Sequence, residues 1–107
     1  MTDSWNAEQS REIYAVEHWG EGYFDVGATG NVIVYPTRNP GQGAIDLVEI
    51  AQAVRAEGLS LPVLVRFIDI LRDRVACLNQ AFALARREYD YRGQYTPVYP
   101  IKVNQQR

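Results

Sequence analysis

The stretch TPVYPIKVNQQR, residues 96–107, holds the sole lysine of the chain, Lys102, in a protein that carries the rest of its positive charge on ten arginines. Extended back to Gln94, it reads as a closing strand, QYTPVYPIKVN. In that strand Val98, Pro100, Lys102 and Asn104 share one face. Tyr99, Ile101 and Val103 share the other, which is apolar and suited to packing beneath helices. Pro97 and Pro100 each remove a ladder donor, so the strand is expected to be irregular or bulged.

Working outward, a long helix is predicted from about Asp69 to Tyr89. Its apolar positions Leu71, Val75, Leu78, Phe82, Ala85 and Tyr89 step by four and three, the spacing of one continuous buried stripe. Arg72, Asp73, Arg86, Arg87 and Glu88 fall mostly off it and read as a solvated face. Gly93 ends the segment. Before this helix, LPVLVRF (61–67) is a short apolar, β-rich run read as a strand. Before that, Asp46 and Glu49 form a D-x-x-E start signal for a helix whose Leu47, Ile50, Ala51 and Val54 share a face, with Gly58 at its stop.

Further upstream, GYFDV, GATGN and VIVY between Glu21 and Tyr35 read as a β-hairpin. Gly27 and Gly30 supply the positive φ that its turn requires. No strand-turn-helix context or Lys-Ser/Thr pair makes GATG a phosphate cradle. PTRNPGQG (36–43) reads as loop, and residues 1–12 as a polar, mobile lead-in. Strand, crossover helix and strand in succession is the grammar of an α/β parallel sheet.

The bulk numbers narrow the class. At 107 residues the chain is the size of one small domain. A formal net charge of -2 and scattered arginines give no footprint for nucleic acid. No apolar run approaches membrane-spanning length, and MTDSWNAEQSRE does not resemble a signal peptide, so a cytoplasmic location is expected. Cys77, the sole cysteine, lies in the long helix pattern and reads as a small buried hydrophobe. With one histidine, His18, no Cys or His cluster has metal-ligand spacing.

Lys102 is the residue with chemistry to offer. Active sites of parallel-strand barrels lie at the end toward which the strands run. An ammonium partly desolvated there has its pKa pulled down, and its neutral amine can attack a carbonyl. A guanidinium stays protonated and cannot. The alternative at this point is an ordinary solvated amine near a chain end.

The residues also carry a resemblance. YPIKVNQ (99–105) closely resembles the pyridoxal-phosphate lysine motif of biosynthetic arginine decarboxylases, of the alanine-racemase-like barrel group. Trp5, Ser10-Arg11 with Tyr14, the runs HWG (18–20) and GYF (22–24), and the hairpin into VIVYP are similar to that family's N-terminus. LPVLVRFIDILRDRV (61–75) with LNQAF (78–82) is similar to its first crossover. The resemblance implies residues 1–43 as a lead-in and β-hairpin segment, and residues 44–107 as the start of the pyridoxal-phosphate-binding TIM-type (β/α)8 barrel, truncated. It implies Lys102 as both the cofactor-binding Schiff-base lysine and the catalytic lysine. It further implies L-arginine as substrate, carbon dioxide and agmatine as products on the way to polyamines such as spermidine, magnesium as an added cofactor without identifiable ligands, and a homo-oligomer. A barrel takes about 250 residues, so this chain by itself is expected to be inactive. The alternatives are another barrel-type amino-acid decarboxylase, a non-catalytic pyridoxal-phosphate carrier, and an interaction module docking through the long helix.

Overall fold

Regular structure begins earlier than the polar lead-in predicts. The computed structural model describes residues 4–100. Within them, helix α1 (Ala7–Ile13) starts at a reciprocal cap: Asn6 Oδ1 accepts from the Gln9 amide at 2.9 Å, and Gln9 Oε1 accepts from the Asn6 amide at 3.3 Å. Two otherwise orphaned donors are satisfied at once, so a short polar segment is helical rather than a mobile lead-in. Helix α2 (Val16–Gly20) follows after Ala15, which adopts a left-handed φ of 50°.

The expected hairpin is present. Strands β1 (Phe24–Val26) and β2 (Val32–Val34) pair antiparallel, Phe24 opposite Val34 and Val26 opposite Val32. The turn needs its two glycines for different reasons. Gly30 has φ +92°, and the Trp5 ring lies against it: a Cβ there would sit 3.2 Å from Trp5 Cη2. Gly27 is not in the positive-φ region; it makes room, since a Cβ would lie 3.2 Å from Ile33 Cγ2.

A third strand, β3 (Ile45–Asp46), pairs antiparallel with β2 through Ile33–Asp46 and Val34–Ile45. The described sheet is therefore three-stranded and wholly antiparallel, in the order β1-β2-β3; the parallel pairing expected of 61–67 with the closing strand concerns other residues, part of which lie outside the described ones. Within the predicted 36–43 loop, Pro40–Gln42 form a single 3-10 turn capped by Asn39. Asp46 then ends β3 and caps helix α3 (Leu47–Ala56), its side chain accepting from the amides of Val48 and Glu49. The far end closes as expected. Gly58, at φ +83°, donates to the Arg55 carbonyl at 3.0 Å, and Leu59 donates to that of Val54 at 3.2 Å, the paired bonds of a Schellman stop.

Residues 62–67 have no regular structure and no ladder partner among the described residues, so the strand expected at 61–67 is not formed. Strandness is a property of pairing, and β-propensity alone supplies no partner. Helix α4 (Ile68–Glu88) matches the predicted long helix to within a residue at each end. Its stripe is not buried, however: Leu71, Val75, Leu78, Phe82 and Tyr89 are all exposed. Periodicity identifies the face that seeks cover, but not whether cover is present. Cys77 is half-buried rather than core, with Sγ 4.0 Å from Asp73 Oδ2.

Packing divides the chain into two compact units, one up to Leu71 and one from Arg72. The first contains the buried apolar residues Val16, Tyr23, Val26 and Val34, where α2 meets the hairpin. Close approach is possible because Gly20 lacks a side chain; a Cβ there would lie 3.4 Å from Phe24 Cβ and 3.5 Å from Val16 Cγ1. Arg11 ties α1 to β1. Its Nε donates to Asp25 Oδ1 at 2.6 Å, and a terminal nitrogen donates to the Val26 carbonyl at 3.0 Å. In the second unit Tyr95 stacks on Phe82 at 4.1 Å between ring centroids.

Candidate functional site

Lys102, the residue on which the sequence-based site rests, lies outside the described residues, as do Ile101, Val103 and Asn104. The approach to it is described as far as Pro100. Residues 94–100 form no strand. Val98 is 88% exposed and Tyr99 74%, while Tyr95 is half-buried against Phe82. Pro97 and Pro100 account for part of this, because neither can donate to a ladder.

Three other concavities can be weighed as sites. The first is polar, about 390 Å³, with Arg11, Glu17, Asp25, Tyr35 and Arg38 among its walls. Its charges are largely spent on one another. The hydrogen bond to Asp25, then that to Glu8, raises the Arg11 pKa above its ordinary value. Arg38 sits over the Tyr23 ring at 5.2 Å, a cation-π contact. This arrangement is a clamp between α1 and the hairpin, without an open donor set for a ligand.

The second is an apolar groove of about 310 Å³ in the first unit. Ile50, Ala51 and Val54 of α3 line one wall, and Val63, Val65 and Phe67 line the other. The helical face predicted from spacing is thus the face that meets segment 61–67. Leu61, Val63, Val65 and Phe67 line the groove, while Leu64 between them does not. The alternation is that of a strand side, although no strand is formed there among the described residues.

Asp46 holds this half together. Asn31 Nδ2, from the hairpin turn, donates to Asp46 Oδ2 at 2.8 Å. That bond, followed by those from the Val48 and Glu49 amides, lowers the Asp46 pKa, with partial desolvation opposing it. The pairing of Asn31 with Asp46 was not legible in the sequence, since nothing marks residues fifteen apart as neighbours.

The third concavity, beside the end of α4, is aromatic. Arg86 lines it, half-buried rather than on a solvated face. No described group of three or more His, Cys, Asp or Glu residues could hold a metal ion, and no described helix is long and apolar enough to cross a membrane. The described residues contain no lysine, so no amine for a carbonyl cofactor lies among them, and no step of its chemistry follows from this geometry.

No family model matches the chain. Curated relatives do, over its whole length. It is 52% identical over 107 residues to a protein of Alkalilimnicola ehrlichii named biosynthetic arginine decarboxylase, and equally to one so named from Xanthomonas axonopodis pv. citri. Each match takes in 100% of this chain and 17% of the relative. A protein of Synechocystis named biosynthetic arginine decarboxylase 2 is 48% identical over 104 residues, 97% of this chain and 16% of the relative. The chain therefore spans about a sixth of the length of the relatives it matches.

Proposed function

We propose that this chain, homologous over its full length to the N-terminal part of biosynthetic arginine decarboxylases, acts as the opening segment of a carboxy-lyase that converts L-arginine to agmatine and carbon dioxide for polyamine synthesis. The observation that carries the reading is identity of about 50% across the whole chain. In this reading residues 1–43 are the lead-in and hairpin segment, and residues 44–107 open a TIM-type barrel. The alternation of 61–67, whose Leu61, Val63, Val65 and Phe67 line the groove against α3, supports that assignment, because a strand beneath a helix has that side-chain pattern.

Lys102 is the residue that holds pyridoxal phosphate. That cofactor, when bound, supplies an electron sink for the carbon that loses its carboxylate. The chain's own contribution is the amine, which can shed its proton at working pH if partly desolvated, as no arginine here can. Magnesium, a homo-oligomeric assembly and a cytoplasmic location belong to the same reading. By itself the segment carries too few residues for a barrel and is inactive in this reading.

The test is covalent and independent of turnover. The purified chain is incubated with pyridoxal phosphate, scanned for long-wavelength absorbance, reduced with borohydride and mapped by peptide mass spectrometry. Stoichiometric label on Lys102, lost in Lys102→Ala, is the expected result. Label confined to the α-amine, or unchanged in the variant, would overturn the role of Lys102.

A further inference from the structure

We infer that Trp5 and helix α1 form a strap over the edge of β1, one that opens as a unit while the core of α2 and the hairpin stays folded. The strap docks by its polar side. No residue of α1 is buried, and its apolar end looks outward: Ile13 is 76% exposed and the capping Tyr14 69%. Two side chains hold it down. The Arg11 ion pair with Asp25 is formed by side chains 29% and 30% exposed. Trp5 lays its ring against Gly30 and donates its indole N–H to Ser10 Oγ, so the ring travels with α1. A part-exposed ion pair and one half-exposed ring hold far less than the buried contacts of Val16, Tyr23, Val26 and Val34.

The strap has reason to open all at once. A helix of seven residues does not persist in water by itself, so α1 is lost as a whole when Arg11 lets go. Its pivot is marked in the backbone. Ala15 stands at φ 50°, a region that costs a residue with a Cβ. On the far side Trp19 Nε1 donates to the Tyr14 carbonyl at 2.9 Å, which fastens the pivot to α2.

What the strap covers is a sheet edge. β1 stands at one end of the described strand order. The Val26 carbonyl accepts from Arg11 at 3.0 Å, and the Val26 amide donates at 2.7 Å to Asp25 Oδ1, the oxygen that Arg11 Nε also holds. Side chains thus stand where a neighbouring strand would, and an open edge of this kind is a template for further pairing. Closed, the strap hides the Val26 edge; open, it returns the Val26 carbonyl to water without disturbing the ladder of β1 with β2. The inference stands apart from the decarboxylase reading.

The experiment is native-state hydrogen exchange on the full chain, read by NMR in the range where rates report opening equilibria. The amides of residues 11–14 and the Trp5 indole N–H are expected to share one opening equilibrium, at least tenfold more open than that of the β2 amides. Urea below the unfolding transition should hardly change it, because little surface is exposed, while the β2 amides follow the full slope. Val34→Ala weakens the core that both strap states share, so it should speed the β2 amides at least tenfold and leave the strap amides within twofold. Arg11→Gln should open the strap at least tenfold further, with the cross-strand contacts of β1 and β2 retained. Three results would overturn the inference: strap and β2 amides with the same opening and urea slope, protection that climbs smoothly from residue 5 to residue 14 as in end fraying, or strap exchange unmoved by Arg11→Gln. The urea series on the unmodified chain decides the first two even if a variant fails to fold.

Discussion

Val34→Ala tests where the stability of this molecule resides. Val34 is 0% exposed, opposite Phe24 on β1 and Ile45 on β3, so both neighbouring strands lie across from it. The substitution removes two buried carbon groups at about 0.8 kcal/mol each. The space left in a three-stranded sheet adds to that, for a loss of about 2 kcal/mol. Against the roughly 4–10 kcal/mol expected of a unit this size, the loss is a large share. Leu64→Ala is the control. It deletes more carbon, but at a side chain 62% exposed, and is expected to cost less than about 0.5 kcal/mol. Both tryptophans, Trp5 and Trp19, lie in the first unit, so urea unfolding followed by tryptophan emission reports on the unit that holds Val34. With a denaturant slope of about 1 kcal/mol/M, the midpoint for Val34→Ala should fall by about 2 M, and that for Leu64→Ala by less than about 0.5 M. Equal shifts, or an unmoved midpoint for Val34→Ala, would refute the assignment of the core to α2 and the hairpin.

Two other perturbations follow from single contacts. Gly30→Val forces a β-branched residue to φ +92° and into the Trp5 ring; the backbone term alone is roughly 1–2 kcal/mol, and Trp5 emission should shift to the red, with Gly30→Asn milder because Asn tolerates that region. Asp46 has a folded-state pKa below its ordinary 3.8, chiefly through Asn31; its contribution is therefore fully present above that value and lost as pH falls through the lower folded pKa. Unfolding melts followed between pH 5 and 2 should show this acid loss, and Asn31→Ala should shrink it.

What was legible in the sequence was local. The hairpin, the Asp46 start, the Gly58 stop and the extent of α4 each depend on residues within a turn of one another, and each is formed. The Asn6–Gln9 cap was equally local, but it hides in a stretch without apolar periodicity. β3 escaped because two residues are too few to show alternation. Burial was the consistent failure. The stripes of 61–67 and α4 were correctly placed along the chain, but spacing gives the direction in which a face looks and not what stands opposite. Lys102 was picked out by composition and motif, and its placement lies outside the described residues.

The distribution of exposed apolar side chains completes the argument. Among the described residues, the hydrophobic side chains buried below a tenth of their surface all precede residue 35, while Leu61, Leu64, Leu71, Val75, Leu78 and Phe82 are exposed. The earlier segment closes its own hydrogen bonds through Asn6, Arg11, Asn31 and Asp46. Among the described residues the later one presents a segment without ladder partners and then a helix with an uncovered stripe. A segment of this kind is stabilised only by strands and helices laid against it. The apolar faces left uncovered among the described residues fit the proposed reading, in which this chain is the opening segment of a longer enzyme.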